Sequence, residues 1–241
     1  MIRNAQVYPD AAALIRAVAA ESVKIVQSAA NERGRVSIAL AGGHSPTPLY
    51  SLWAQEYRDR IPWDRAHLFW GDERYVPPES DLSNYKMVRE ALLEHIPISR
   101  NNVHPMPTYF GLPDEAARNY EDTLRQFFGD EPPSIDLVFL GVGAEGHTAS
   151  LFPDSPALEE QARWVLAVEA PAAPPRRLTL TLPILNQARH LFFIAVGAGK
   201  REIITALRDE PDARPSAYPA GRVRPKTGRV TWFLDRAASS P

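Results

Sequence analysis

The 241-residue chain has a formal net charge of -2, with 44% hydrophobic and 23% charged residues. That is enough length for one large domain with its own core, and its scattered arginines, balanced by acids, argue against a nucleic-acid face. Cysteine is absent, which excludes disulfides, thiolate nucleophiles and cysteine metal sites. No basic patch leads into an apolar stretch within Met1 to Asp10, and the most apolar run, Leu191 to Ala198, is too short to cross a bilayer; a cytoplasmic protein without membrane contact is expected.

In chain order, Pro9-Asp10 opens a helix with Leu14, Val18 and Ile25 on one face. Val36 to Ala41 is the first predicted strand and runs into Gly42-Gly43-His44-Ser45-Pro46-Thr47. A second strand, His67 to Trp70, leads into Gly71-Asp72-Glu73-Arg74-Tyr75-Val76-Pro77, and a helix from about Ser83 to His95 carries Met87, Ala91 and Leu92. Another helix begins near Pro113-Asp114 and aligns Ala117, Tyr120, Leu124 and Phe127. Ile135 to Leu140 is the next strand, ending in a glycine-rich turn that reaches His147. Trp164 to Val168, Leu178 to Leu182, Leu191 to Val196 and Val230 to Leu234 complete the strands. Residues 209 to 228, rich in Pro, Arg and Gly, read as a surface wrap before the last of them.

Strands alternating with helical stretches predict an α/β protein with a largely parallel sheet. Most strands are continuous apolar runs, as expected of burial on both faces. Proline clusters mark loops but none is long enough to be a linker, so residues 1 to 241 are read as one domain.

Four segments carry chemistry. Gly42, Gly43 and Ser45 at a strand-to-helix junction suit a phosphate cradle, because glycine lets the backbone approach an anion and a helix start offers free N–H groups. The same residues also fit a plain turn capped by Ser45. Asp72, Glu73 and Arg74 directly follow a strand, at the end where open α/β sheets place ligands, although strand ends are often polar loops. Glu145 and His147 follow another strand, and histidine is the side chain best suited to taking a proton from water near neutral pH. Arg177 and Lys200 place cations beside two further strand ends, as a phosphate needs or as solvated loop charges. The histidines, His44, His67, His95, His104, His147 and His190, include no pair at metal-ligand spacing, and neither metal nor cofactor is expected.

Together the segments resemble the 6-phosphogluconolactonase family, a branch of the fold shared with glucosamine-6-phosphate deaminases. The most specific pieces are Gly71 to Pro77 with Ser83-Asn84-Tyr85, Leu140-Gly141-Val142-Gly143 leading to Gly146-His147-Thr148-Ala149-Ser150-Leu151-Phe152-Pro153, and the closing Trp232-Phe233-Leu234-Asp235. The resemblance implies a Rossmann-like three-layer sandwich and hydrolysis of 6-phosphogluconolactone. It implies His147 as general base, Arg74 steadying charge on the lactone oxygen, and Asp72 holding the sugar. Gly42, Gly43, Ser45, Arg177 and Lys200 would surround the 6-phosphate. Where the family has Ser-Thr-Pro this chain has His44-Ser45-Pro46, and where it has Asp before Gly-His this chain has Glu145, one methylene longer but still able to orient His147.

The lactone would come from a glucose-6-phosphate dehydrogenase, and the protein is expected to act as a monomer or small homo-oligomer. Two other readings compete. Glucosamine-6-phosphate deaminases carry Asn-Glu-Pro after the histidine, whereas this chain has Ser150-Leu151-Phe152-Pro153. A non-catalytic sugar-phosphate sensor would keep the phosphate residues and have no need of His147 beside Arg74.

Overall fold

The computed structural model describes residues 2, 5–109, 111–129, 133–210 and 216–239. Strand β1 (Ala5–Tyr8) leads to helix α1 (Ala11–Arg33). The Asp10 carboxylate accepts the Ala13 N–H at 2.8 Å and caps the helix, as the sequence indicates. Then come β2 (Val36–Leu40), α2 (Thr47–Glu56), β3 (Ala66–Trp70), β4 (Asp72–Arg74) and α3 (Asn84–Ala91). Helix α4 (Pro113–Phe128), β5 (Leu137–Leu140), β6 (Val165–Glu169) and β7 (Arg176–Leu180) follow. The chain closes with α5 (Leu182–Leu185), β8 (His190–Ala195), α6 (Arg201–Asp209), α7 (Pro219–Arg222), β9 (Arg229–Asp235) and α8 (Arg236–Ser239).

The main sheet has six strands in the order β1-β9-β8-β5-β2-β3, every pair parallel, with helices on both faces. From β2 the chain moves outward to β3, then returns to the other side of β2 and proceeds through β5, β8 and β9. The direction of winding therefore reverses between β2 and β5, and loops leaving those two strands diverge to open a crevice at their carboxyl ends.

The structure corrects several expectations. Strands β6 and β7, read from sequence with the others, leave the parallel sheet and form a separate antiparallel one in the order β4-β7-β6. A connection of six residues between β6 and β7, 170–175, is too short for a parallel crossover, so the two must run antiparallel. Two strands escape sequence reading. β1 is a short exposed edge strand without an apolar run, and β4 is three charged residues that become a strand only by pairing with β7. The helix expected from Ser83 to His95 ends at Ala91 and passes into a 3₁₀ turn over Leu93–His95, since Pro97 disfavours helical geometry just before it. Part of the 209–228 stretch forms α7, and residues 211–215 lie outside the described residues.

The core runs along the sheet. Phe139 on β5 stands beside Phe192 on β8, their ring centroids 6.0 Å apart, and Phe192 meets Phe233 on β9 at 4.8 Å. Phe192 is 2% exposed, so Phe192→Ala leaves a cavity that its neighbours fill only partly. A loss of about 3–5 kcal/mol in unfolding free energy is expected from urea melts, and a loss below about 1 kcal/mol would show that this row of rings is not the core's keystone.

Candidate active site

The loop after β2 is anchored from below. Tyr50, fully buried, donates its hydroxyl to the Ala41 carbonyl at 2.8 Å and accepts the Ala41 N–H at 2.9 Å. Gly42 lies flat against the Asn84 carboxamide, and a side chain there would overlap it. Gly43 follows with φ 86°, a conformation that glycine adopts without strain. Ser45 is not the helix cap: Pro46 holds that position and no side chain caps α2.

The loop after β3 turns on Gly71, whose N–H donates to the Leu40 carbonyl of β2 at 2.9 Å while its carbonyl accepts from Leu180 of β7 at 2.8 Å. This residue carries the chain from the parallel sheet into the antiparallel one. As a result β4 lies over the crevice, with Asp72 opposite Thr179 and Arg74 opposite Arg177. Asp72 accepts the Ser150 hydroxyl at 2.7 Å, and Ser150 N–H donates to the Thr179 hydroxyl at 3.1 Å. Like charges facing each other across a sheet repel. Two guanidinium groups in such a pair, both lining one cleft, are relieved when the anionic groups of a ligand enter it. Burial pulls Arg177 below its ordinary value; Arg74 adds to that effect, while Asp72 and Glu73 oppose it. Arg74 donates from Nη1 to the Leu82 carbonyl at 2.8 Å, and its Nε is buried without a partner among the described residues.

Strand β5 delivers the loop that carries His147. Gly143 N–H donates to the His147 carbonyl at 2.9 Å and Gly146 N–H to the Gly143 carbonyl at 3.0 Å, closing a tight turn. His147 Nδ1 lies 2.9 Å from Glu145 Oε1, and the Phe152 ring packs 4.7 Å from the imidazole. Partial burial works to raise the Glu145 pKa, but hydrogen bonds from its own N–H and from His147, with the charge of Lys200, bring it below the ordinary value. A carboxylate on Nδ1 fixes the ring and leaves Nε2 to work. Lys200 ends a 3₁₀ turn after β8, and the Asp235 carboxylate of β9 steadies that turn by accepting Gly197 N–H at 3.0 Å.

The crevice encloses about 290 Å³. Gly42, Gly43, Ser45, Asp72, Arg74, His147, Arg177 and Lys200, all read from sequence, line it together, and so does His44. Glu145 does not line it but stands behind the imidazole. Asn84 lines it and was not singled out, although its place in the Ser83-Asn84-Tyr85 motif was a usable signal. His67 and His104, far apart in sequence, meet outside the cleft with ring nitrogens 3.2 Å apart, and burial lowers His104 to about 4. Among the described residues no three His, Asp or Glu side chains gather as a metal site, and no helix is long and apolar enough to cross a membrane.

A doubly wound α/β fold with a cationic cleft and a carboxylate-held imidazole at its winding reversal defines the class. The family model described as glucosamine-6-phosphate isomerases/6-phosphogluconolactonase matches residues 9–232, and the chain belongs to that family. A 6-phosphogluconolactonase of Synechocystis sp. is 41% identical over 226 residues, 92% of this chain and 91% of its own. That of Mycobacterium tuberculosis is 38% identical over 100% of this chain and 98% of its own. The solved 6-phosphogluconolactonase from Trypanosoma cruzi superposes with a TM-score of 0.85 at 30% identity, covering 98% of this chain and 95% of that one.

Proposed function

We propose that this chain hydrolyses 6-phospho-D-glucono-1,5-lactone to 6-phospho-D-gluconate, the second step of the oxidative pentose phosphate pathway. The observation that carries the reading is a base and three cations in one crevice: His147, held by Glu145 through Nδ1, shares its walls with Arg74, Arg177 and Lys200.

A δ-lactone is an activated ester, so the protein has to deprotonate water, stabilise an oxyanion and orient the ring. Neutral His147 takes a proton on Nε2 as the water oxygen bonds to C1. Arg74 and nearby N–H groups hold the tetrahedral oxyanion. Collapse breaks the bond to the ring oxygen, which takes the proton back from the imidazolium, and the carboxylic acid so formed gives its remaining proton to solvent and leaves as a carboxylate. Glu145 keeps the imidazole aimed and stabilises its charged form. Arg177 and Lys200, with Gly42, Gly43 and Ser45, clamp the remote phosphate, so binding there becomes alignment at C1. Asp72 supports the sugar, and the lactone itself would be supplied by a glucose-6-phosphate dehydrogenase.

Because the lactone opens unaided, the test follows the loss of freshly generated lactone with and without protein. Acceleration over the spontaneous rate is expected. A rate equal to the blank, or release of ammonia from glucosamine 6-phosphate, would retire the reading. Within it, Arg177→Met removes a charge-assisted contact worth about 1.5–3 kcal/mol. KM should therefore rise about 10- to 100-fold with kcat less affected, and an unchanged KM would remove Arg177 from the phosphate clamp.

A further inference from the structure

The carboxylate of Glu73 is 1% exposed and lies beside the cleft without being among the residues that line it. Its Oε1 accepts the N–H groups of Arg74 at 2.7 Å and Asn84 at 2.8 Å. Its Oε2 accepts Tyr85 N–H at 2.7 Å and the Ser83 hydroxyl at 3.2 Å. One side chain thus joins the end of β4 to the first turn of α3, whose N–H groups have no partner within the helix.

The segment gathered in this way also holds the cleft residues by their side chains. Arg74 Nη1 is held by the carbonyl of Leu82, the residue before Ser83. Asn84 Nδ2 donates to the Asp72 carbonyl at 2.9 Å, and its carboxamide is the surface on which Gly42 rests. We infer that Glu73 is the positioning residue of the cleft, fixing Arg74 at backbone and guanidinium and setting Asn84 against the glycine loop. The inference rests on the assignment of Arg74 to the developing oxyanion.

A cap that served stability alone would have no need of a buried charge. Burial pushes Glu73 up to about 7, and Asp72 on β4 works in the same direction, against the three N–H donors. Arg177 on β7, Tyr120 on α4, and Arg74 and Tyr85 are the other charged or titratable groups around it. A carboxyl whose folded value is raised favours the folded state below the ordinary carboxylate range, and that contribution fades as pH rises through about 7. The ionised form is therefore kept at a cost in stability, where all four acceptor sites are open to their donors.

Glu73→Gln keeps the shape and turns one acceptor into a donor. At pH 8 kcat should fall about 10- to 100-fold with KM changed less than about threefold, as for a misplaced catalytic group. The ratio of wild type to variant should shrink at pH 6, where wild-type Glu73 is itself protonated. Amide exchange at Arg74, Asn84 and Tyr85 should quicken in the variant. A kcat within about twofold of wild type at pH 8, or a ratio that stays constant from pH 6 to pH 8, overturns the inference. If Glu73→Gln does not fold, Ser83→Ala removes one of the donors and is measured in the same way. Wild-type protein without lactonase activity would retire the function proposed above, and exchange at those amides then decides the role of Glu73.

Discussion

Replacing His147 by alanine is expected to lower turnover of the lactone by about 10²–10⁴-fold while 6-phosphogluconate still binds. The asymmetry follows from where the groups sit. The imidazole comes from the loop after β5, whereas the cations that would hold the phosphate come from β7 and from the turn after β8. Removing the ring leaves those cations and the glycine loop in place. Calorimetric titration with 6-phosphogluconate, alongside the lactone assay, separates the two effects. A variant with near-normal turnover would exclude His147 as the base, and loss of product affinity equal to the loss of turnover would move it to substrate binding.

Gly143→Ala should come close to the same loss with the histidine itself retained. A Cβ at this position would occupy the space of the His147 ring and of the Glu145 carboxylate. The backbone cannot drift to make room, since Gly143 is tied on both sides, its N–H to the His147 carbonyl and its carbonyl to Gly146 N–H. The ring must move instead, breaking the contact with Glu145, and a displacement of about 1 Å can cost about 10²-fold in rate. The Gly143 backbone lies outside the left-handed region, so the fold accepts alanine and the melting temperature should change by only a few degrees. Full activity in the variant would mean that the imidazole and carboxylate need not be held as seen here.

Much of the site is legible in the sequence alone, for a reason specific to parallel sheets. All strands of such a sheet point one way, so polar and glycine-rich residues that follow apolar runs collect at a single edge. Gly42 to Ser45, Asp72 with Arg74, and the turn to His147 are of this kind, and they converge as their positions after β2, β3 and β5 require. Glu73 stands in the same motif but its work was hidden, because three of its four partners lie 10 to 12 residues away at the start of a helix whose placement no local pattern specifies.

The sequence by itself determined most of the strands, the helices α1, α3 and α4, the helix start at Asp10 and the identity of the chemical groups, because each is written in local periodicity and composition. Only the tertiary structure decided that Arg74 faces Arg177, since that register belongs to an antiparallel sheet built partly from three charged residues. It also decided which carboxylate holds His147. A third such decision braces Gly146, where the Tyr218 ring packs and Ala220 N–H donates to its carbonyl at 3.0 Å, using a segment that reads as mere surface wrap. Contacts of this sort depend on which distant backbones approach closely, and a pattern of neighbours along the chain carries no information about that.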